Sequence, residues 1–515
     1  MAHIALDEDQ VLRVKKLAKQ IADDTQKLID VHSSVSTERT ILRLIGVDGC
    51  TEEDLPYPNR IIDLLIEADL LENGISKPFA AALLKSGRDV QTTAELLHQK
   101  ELVLGDYSNL SPQEITDKEN QLAQIAIDLM EQSKANKLEK ISKYPVGPQP
   151  WKYLIVATGN IYEDRTQGQS AAYAGADIVA VIRTTAQSLL DHVPFGATTE
   201  GFGGTMATQE NFKIMREALD QASSEQNRYV RLVNYSSGLC MAEIAACAAH
   251  EDLDMLLNDS MYGILFRDIN PIRTFVDQYF SRLICAKADI IINTGEDNYL
   301  TTSDAIEEAY TVTSSQLINE AMAVNAKLPE ELMGLGHAYE INPQQENAFL
   351  YEVSHAQLAR QLFPKAPIKY MPPTKYKSTD IFFSHVMDTM FNMVSVTTNQ
   401  GIHLSGMPTE AIHTPLMMDR YQALSSINYV FNIAKDFGNE IEFKSDGFIT
   451  SRANEVLNQS EDFLNEIVAG GGLLNAIEAG SFANVKRLRN EGKGKDGVFV
   501  KGPNYTNPII DLLAN

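Results

Sequence analysis

The stretch RTTAQSLLDHVPFGATTEGFGGTMAT, Arg183 to Thr208, follows the apolar run ADIVAVI and holds one arginine, several threonines and four glycines. A strand that runs into such a loop is a frequent phosphate cradle, because backbone N–H groups and hydroxyls converge there on an anion. The loop has neither the lysine of a Walker loop nor a clean G-x-G-x-x-G. Any anion it holds must be bound by another arrangement.

Other chemistry-bearing residues follow apolar runs in the same way. Ser236 and Ser237 open the helix pattern LCMAEIAACAAH, and Tyr262 and Arg267 lie in DSMYGILFRD. Glu296, Asp297 and Asn298 follow ADIIINTG, and Lys369 follows API. Arginines and serines together suit a dianionic phosphate, arginine through a charge-assisted fork. Tyr262 would stack on a ring, Asp297 or Asn298 would bond its polar edge, and Lys369 would form an imine or contact a ring oxygen. Pyridoxal phosphate fits this set. Each residue also has a plainer reading. Arg183 would cap a carboxylate, the serines would N-cap their helix, Tyr262 would be core, and Asp297 would brace a loop. Their shared position after apolar runs is what groups them.

The elements that must position them are predicted from periodicity. Short β-branched runs occur at KYLIVATG, ADIVAVIR, RYVRLVNYSSG, DMLLNDSMYGILF, ADIIINTGED, ELMGLGHAYEI, APIKYMPP and NMVSVTTNQGI, with helical patterns between them. Strand–helix alternation means a parallel sheet, and eight runs over roughly 250 residues fit an α/β fold of the (β/α)8 TIM-barrel type. A doubly wound sheet is the alternative, and the glycines of the sixth run suit a loop as well as a strand. In such a barrel the active site lies at the strand C-terminal ends, where the residues above fall. Residues 1–145 read as a helical N-terminal region, 146–415 as the barrel, and 416–515 as a helical C-terminal extension. Ser111, Pro112 and Glu114 form a capping-box signature in the first part. Two helices with a charged, glycine-containing connection are expected at the end of the last part.

Composition limits the function. The formal charge of −25 argues against nucleic acid. No apolar run is long enough to span a bilayer, and the charged start is no signal peptide, so a cytoplasmic protein without membrane contact is expected. Cys50, Cys240, Cys247 and Cys285 form no C-x-x-C pair, which predicts reduced thiols and neither a disulfide framework nor a zinc site. The ten histidines include no H-E-x-x-H. DVHSSV, Asp30 to Val35, approaches the D-x-H-x-x-G loop that ligates cobalamin cobalt, but Val35 stands where glycine is needed and the surroundings read as helix. No metal-ligating residue is therefore assigned.

The segments VIRTTAQSLLDHVPFGATTEGFGGTMAT, RLVNYSSGLCMAEIAA, NDSMYGILFRDINPIRTFVDQYFSR and IINTGEDNYLTT closely resemble the large α subunit of the lysine 5,6-aminomutase family, with ornithine 4,5-aminomutase as a relative. The resemblance covers essentially the whole chain. It implies a barrel with helical extensions that binds pyridoxal phosphate and the adenosyl end of adenosylcobalamin. It places phosphate contacts on Arg183, Thr184, Thr185, Ala186, Gln187, Ser188, Ser237 and Arg267, the stacking ring on Tyr262, and ring-edge contacts on Asn298 and Asp297, with Lys369 close by. Tyr262, Asp297 and Lys369 are the catalytic candidates. It also implies a smaller β subunit that carries the cobalt ligand and the Schiff-base lysine, in an α2β2 heterotetramer. The implied activity is an isomerase in lysine degradation, moving the terminal amine of D-lysine or L-β-lysine from C6 to C5 by a radical mechanism. Two other classes stay open: a Schiff-base barrel lyase or aldolase using Lys369, and a non-catalytic scaffold for a B12-binding partner.

Overall fold

A computed structural model describes residues 4–294, 306–337 and 339–515 of the chain. Ten strands lie among these residues. They are β1 His32–Ser34, β2 Trp151–Val156, β3 Ile178–Val181, β4 Arg231–Tyr235, β5 Met255–Leu257, β6 Ile291–Asn293, β7 Met333–Gly334, β8 Lys369–Tyr370, β9 Ile402–Leu404 and β10 Val498–Val500.

Eight of them, β2 to β9, pair in parallel in the order β7-β6-β5-β4-β3-β2-β9-β8. The ring closes through a parallel bridge between His337 and Tyr370, where His337 N donates to Lys369 O at 2.9 Å and Met371 N to His337 O at 3.1 Å. This closure selects the TIM barrel over a doubly wound sheet. A helix follows each strand, from Ile161–Tyr173 after β2 to Met417–Ile433 after β9. Strands β3, β5, β6 and β9 are buried at every residue. That is why they read as continuous apolar runs and not as alternating ones.

Three predicted elements differ. In the eighth run, NMVSVT belongs to helix Ile381–Thr397, and the strand starts only at Ile402. Val394 and Val396 alternate as in a strand, but Ser384, Met387, Asp388, Phe391 and Val394 bury one face at helical spacing, and Asp380 N-caps the helix. The fourth run keeps only three residues as strand and turns into a π-helical segment at Tyr262–Phe266. The sixth is a strand of two residues, Met333–Gly334.

The N-terminal helices end in Pro112–Lys143, which begins with the Ser111–Glu114 capping box. Its Lys137 ammonium is buried and donates to the carbonyls of Leu253, Ala288 and Asp289 at 2.5–3.0 Å, at the entries to β5 and β6. The C-terminal part is not wholly helical. Helices Phe448–Ala469 and Leu473–Ala479 are followed by β10, which pairs antiparallel with β1. The two extensions thus share a sheet of their own. Among the described residues, no helix is long and apolar enough to cross a membrane.

Candidate functional site

The C-terminal ends of the barrel strands enclose a cavity of about 220 Å³ lined by Ile182, Arg183, Thr185, Gly203, Tyr235, Leu257, Asp259, Tyr262, Lys369, Met371 and Leu404. A second cavity of about 460 Å³ shares Ile182, Gly203, Tyr235, Met371 and Leu404 with it and extends toward Glu410 and Arg420. The two form one barrel mouth.

Arg183 leaves β3 into this mouth and is 4% exposed. Its guanidinium donates to the carbonyls of Thr184, at 3.0 Å, and Ser237. It therefore joins the turn after β3 to the turn after β4. Thr184 N-caps a 3₁₀ turn at Thr185–Leu189, and Ser188 Oγ donates to Thr185 O at 2.7 Å. The Gln187 side chain faces away from any ligand: Nε2 donates to Ala207 O at 2.8 Å and Oε1 accepts from Ala207 N at 2.6 Å. It clamps the returning arm of the glycine loop.

That arm is held on its other side by Asp164, which is fully buried in the helix after β2. Asp164 accepts from Thr158 N at 2.8 Å and from the Thr205 hydroxyl, and Thr205 in turn accepts from Gly159 N at 3.0 Å. Gly204 allows the loop to lie against β3. Its φ is +147°, and a Cβ there would stand 2.6 Å from Ile182 O and 2.7 Å from Arg183 O. Gly238 meets the same need across the cup, with φ +137° and Ser188 backbone atoms 2.6–2.7 Å from a Cβ.

After β4, Ser236 Oγ donates to Leu257 O at 2.9 Å, and Ser237 Oγ accepts from Asp259 N at 2.6 Å. The serines thus fasten the ends of β4 and β5 together. Tyr262 begins the π-helical segment, and Arg267 Nε donates to its hydroxyl. Lys369 lies on β8, 3% exposed, with Nζ 3.1 Å from Asn293 Oδ1 on β6 and 5.7 Å from the centroid of the Tyr153 ring. Burial pushes the Tyr235 phenol up to about 12, so it stays a neutral hydrogen-bonding group. Behind β8, burial raises Glu352 to about 8 and lowers His337 to about 4, and Tyr370 Oη donates to Glu352 Oε2 at 3.2 Å.

Of the predicted residues, Arg183, Thr185, Tyr262 and Lys369 line one cavity. Arg267 joins them through Tyr262, while Thr184, Gln187, Ser188 and Ser237 build the wall behind, and Ala186 is exposed in the same turn. Asp297 and Asn298, with Glu296, lie outside the described residues. His32 of DVHSSV ends the first helix, its Nδ1 2.8 Å from Leu28 O. Asp164, Tyr235, Asp259 and Asn293 were not singled out from the sequence. Asp259 and Asn293 stand at strand ends and were open to the same positional rule, whereas nothing in the local pattern marks Asp164.

The fold and site define a TIM-barrel protein whose strand ends gather an arginine-bearing cup, a tyrosine ring and a buried lysine around one cavity. Comparison with known proteins then places it. The chain belongs to the lysine 5,6-aminomutase alpha-subunit family: residues 4–512 match the family model described as "D-Lysine 5,6-aminomutase TIM-barrel domain of alpha subunit". It is 53% identical over 519 residues to the lysine 5,6-aminomutase alpha subunit of Fusobacterium nucleatum, covering 100% of this chain and 99% of that one. It is 50% identical over 510 residues to the lysine 5,6-aminomutase alpha subunit of Acetoanaerobium sticklandii, covering 99% of this chain and 98% of that one. The D-ornithine 4,5-aminomutase subunit beta of the latter organism is 26% identical over 381 residues, 71% of this chain and 51% of that one. The chain is an aminomutase subunit, and its class of enzyme is the isomerases.

Proposed function

We propose that this chain is the cofactor-positioning subunit of an aminomutase that shifts the terminal amino group of a lysine-type substrate from C6 to C5. The observation that carries the reading is the joint lining of one cavity by Arg183, Thr185, Tyr262 and Lys369, in a chain aligned over its full length with relatives named for that reaction. The D-ornithine relative carries its own name for an analogous shift on a shorter substrate.

The residues present fit pyridoxal phosphate. Arg183 is tethered at the cup, Thr185 offers a hydroxyl, and Gly204 and Gly238 keep Cβ atoms out of the turns that shape it. The Tyr262 ring and the Lys369 ammonium supply an aromatic face and a cation for a polar ring atom. When bound, pyridoxal phosphate would carry the migrating amine and adenosylcobalamin would supply the initiating radical. The chain's own residues do the rest. Arg183 and Arg267 neutralise the phosphate in a protein of strongly negative charge. Tyr262 would offer its ring face to the aromatic ring of the cofactor. Lys369, held by Asn293, donates a proton-bearing hydrogen bond toward the ring edge. Tyr153, Leu257 and Met371 are buried around the site and limit water, which protects a reactive radical species. Asp297 and Asn298 are assigned to the ring edge on the resemblance alone.

The name alpha subunit in the relatives supports a β-subunit partner; on the family resemblance, that subunit would bring the cobalamin domain and the lysine that captures the aldehyde carbon, in an α2β2 assembly. Borohydride reduction of the purified complex tests this. Label on a copurifying small subunit supports the aminomutase, label on Lys369 supports a barrel lyase, and no label with either cofactor present supports a scaffold. Formation of 2,5-diaminohexanoate from D-lysine or 3,5-diaminohexanoate from L-β-lysine identifies the substrate.

A further inference from the structure

The turn that carries Thr184 to Ser188 leaves the barrel mouth through Asp191, and distant parts of the chain converge on that residue. Arg273, in helix Pro271–Ala288, donates Nη1 to Asp191 Oδ2 at 2.7 Å and Nη2 to Oδ1 at 2.6 Å. Arg39, in the N-terminal helix Val35–Leu44, donates Nη2 to Oδ1 and Nε to Glu243 Oε1 at 2.7 Å. Asn59, also from the N-terminal part, donates to the Asp191 carbonyl at 2.9 Å. Both guanidiniums are buried, at 0% and 4% side-chain exposure, while Asp191 is 40% exposed. The carboxylate sits at the surface end and the arginines reach it from inside.

The same network continues into the cup. Arg273 Nη2 also donates to Leu239 O at 3.1 Å, and Leu239 N donates to Ser188 O at 3.0 Å. Two turns of the cup are therefore tied to each other at Leu239 and both to Asp191 through one guanidinium. A bidentate arginine–carboxylate pair fixes direction as well as distance. Two buried guanidiniums that lost their shared carboxylate would repel each other and shift.

We propose that Asp191 is a positioning residue for the cup, and that with Arg273 and Arg39 it lets the N-terminal extension set how tightly the barrel holds the phosphate of its cofactor. This rests on reading the cup as the phosphate site. Asp191 touches no ligand in this view. It acts by holding Thr184–Ser188 and Ser236–Leu239 in register.

The test uses the complete complex with its partner subunit. Affinities for pyridoxal phosphate and for pyridoxal, which lacks the phosphate, are measured at 25 °C for the parent, Asp191→Asn, Arg39→Gln and Arg183→Ala. The expected result for Asp191→Asn is a fall of about tenfold or more in the phosphate-to-pyridoxal affinity ratio, the scale of one charged hydrogen bond, with pyridoxal affinity nearly unchanged. Arg39→Gln gives a smaller fall in the same ratio. A lower Tm in Asp191→Asn with the parental ratio would overturn the proposal, since it would leave only a structural role. If Asp191→Asn does not fold, Arg39→Gln decides, and a parental ratio there also overturns it. An unchanged ratio in Arg183→Ala instead overturns the phosphate reading itself. A fall in Arg183→Ala with none in the other two leaves that reading intact and removes Asp191 alone.

Discussion

The Tyr262 hydroxyl accepts a hydrogen bond from Arg267 Nε, and the Arg267 guanidinium stands 5.0 Å from the centroid of the same ring. One tyrosine therefore orients one of the two arginines assigned to the cup. The stacking role read from the sequence uses only the flat face of Tyr262. The structure gives the hydroxyl work of its own. Tyr262→Phe should weaken pyridoxal phosphate by roughly 0.5–1.5 kcal/mol, the net worth of one hydrogen bond. Tyr262→Ala should lose roughly 1–3 kcal/mol more, on the scale of stacking on an aromatic ring. Cofactor titration with thermal unfolding on the same variants checks this. A phenylalanine variant with parental affinity would leave Arg267 independent of Tyr262.

Arg183→Ala removes two bonds to the carbonyls of Thr184 and Ser237 as well as a cation. Pyridoxal phosphate affinity should fall by about 1.5–3 kcal/mol or more. Arg183→Lys should recover little of it, because an ammonium cannot bridge both carbonyls in the plane of a guanidinium. Fluorescence titration of the cofactor is the measurement, and near-complete recovery by lysine would mean that charge alone matters.

Gly204→Ala tests whether the glycine loop must lie against β3. A Cβ at that position would meet Ile182 O and Arg183 O at 2.6–2.7 Å in a backbone conformation with φ +147°. The expected cost is roughly 1–3 kcal/mol of backbone strain, with displacement of Arg183 and loss of cofactor. Gly203→Ala, whose Cβ would find its nearest neighbour, Thr185 Oγ1, at 3.6 Å, is the control for added bulk alone, though it too carries a positive φ of +65°. Equal stability of the Gly204 variant and the parent would contradict the geometry.

The Glu352 carboxyl, raised to about 8 by burial, should shape the pH dependence of stability. The folded state holds this proton at neutral pH and the unfolded state releases it. The contribution is fully present below the ordinary carboxylate range and is lost as pH rises through about 8. Glu352→Gln imitates the protonated acid and removes that loss. Its stability should match the parent near pH 5, exceed it increasingly up to about pH 8 and level off beyond, by on the order of 1–3 kcal/mol, read as a higher Tm. Parallel Tm–pH curves for the two proteins would show that Glu352 is ionised in the fold.

The barrel was legible in the sequence because strands such as β3 and β6 are buried at every residue and so appear as apolar, β-branched runs between helical patterns. The rule that chemistry sits at strand C-terminal ends then led to Arg183, Tyr262 and Lys369, which line one cavity, although Lys369 opens β8 and does not follow it. It failed where strand ends were misjudged. Asn293 closes β6, but the reading placed the strand's end after ADIIINTG, looked to Glu296, Asp297 and Asn298, and passed over the lysine's partner. The eighth run failed for the opposite reason, since alternating valines at the end of a helix imitate a strand. The hidden part of the site is long-range. Arg39 and Glu243 are 204 positions apart, and Gln187 and Asp164 reach loops through side chains that no local period announces.

The pairing of β1 with β10 has a consequence for how the protein is made. His32 waits for Val500 as its neighbour, so the N-terminal extension cannot reach its final form until Val498–Val500 has left the ribosome. All eight barrel strands are synthesised before that moment. A nascent chain would thus hold a barrel-forming segment while the helix bearing Arg39 still lacks the strand that seats its start, a high-contact-order closing step of the slow kind. A chain cut before Val498 would hold every barrel strand and yet lack the edge against which His32–Ser34 pairs, next to the helix that bears Arg39.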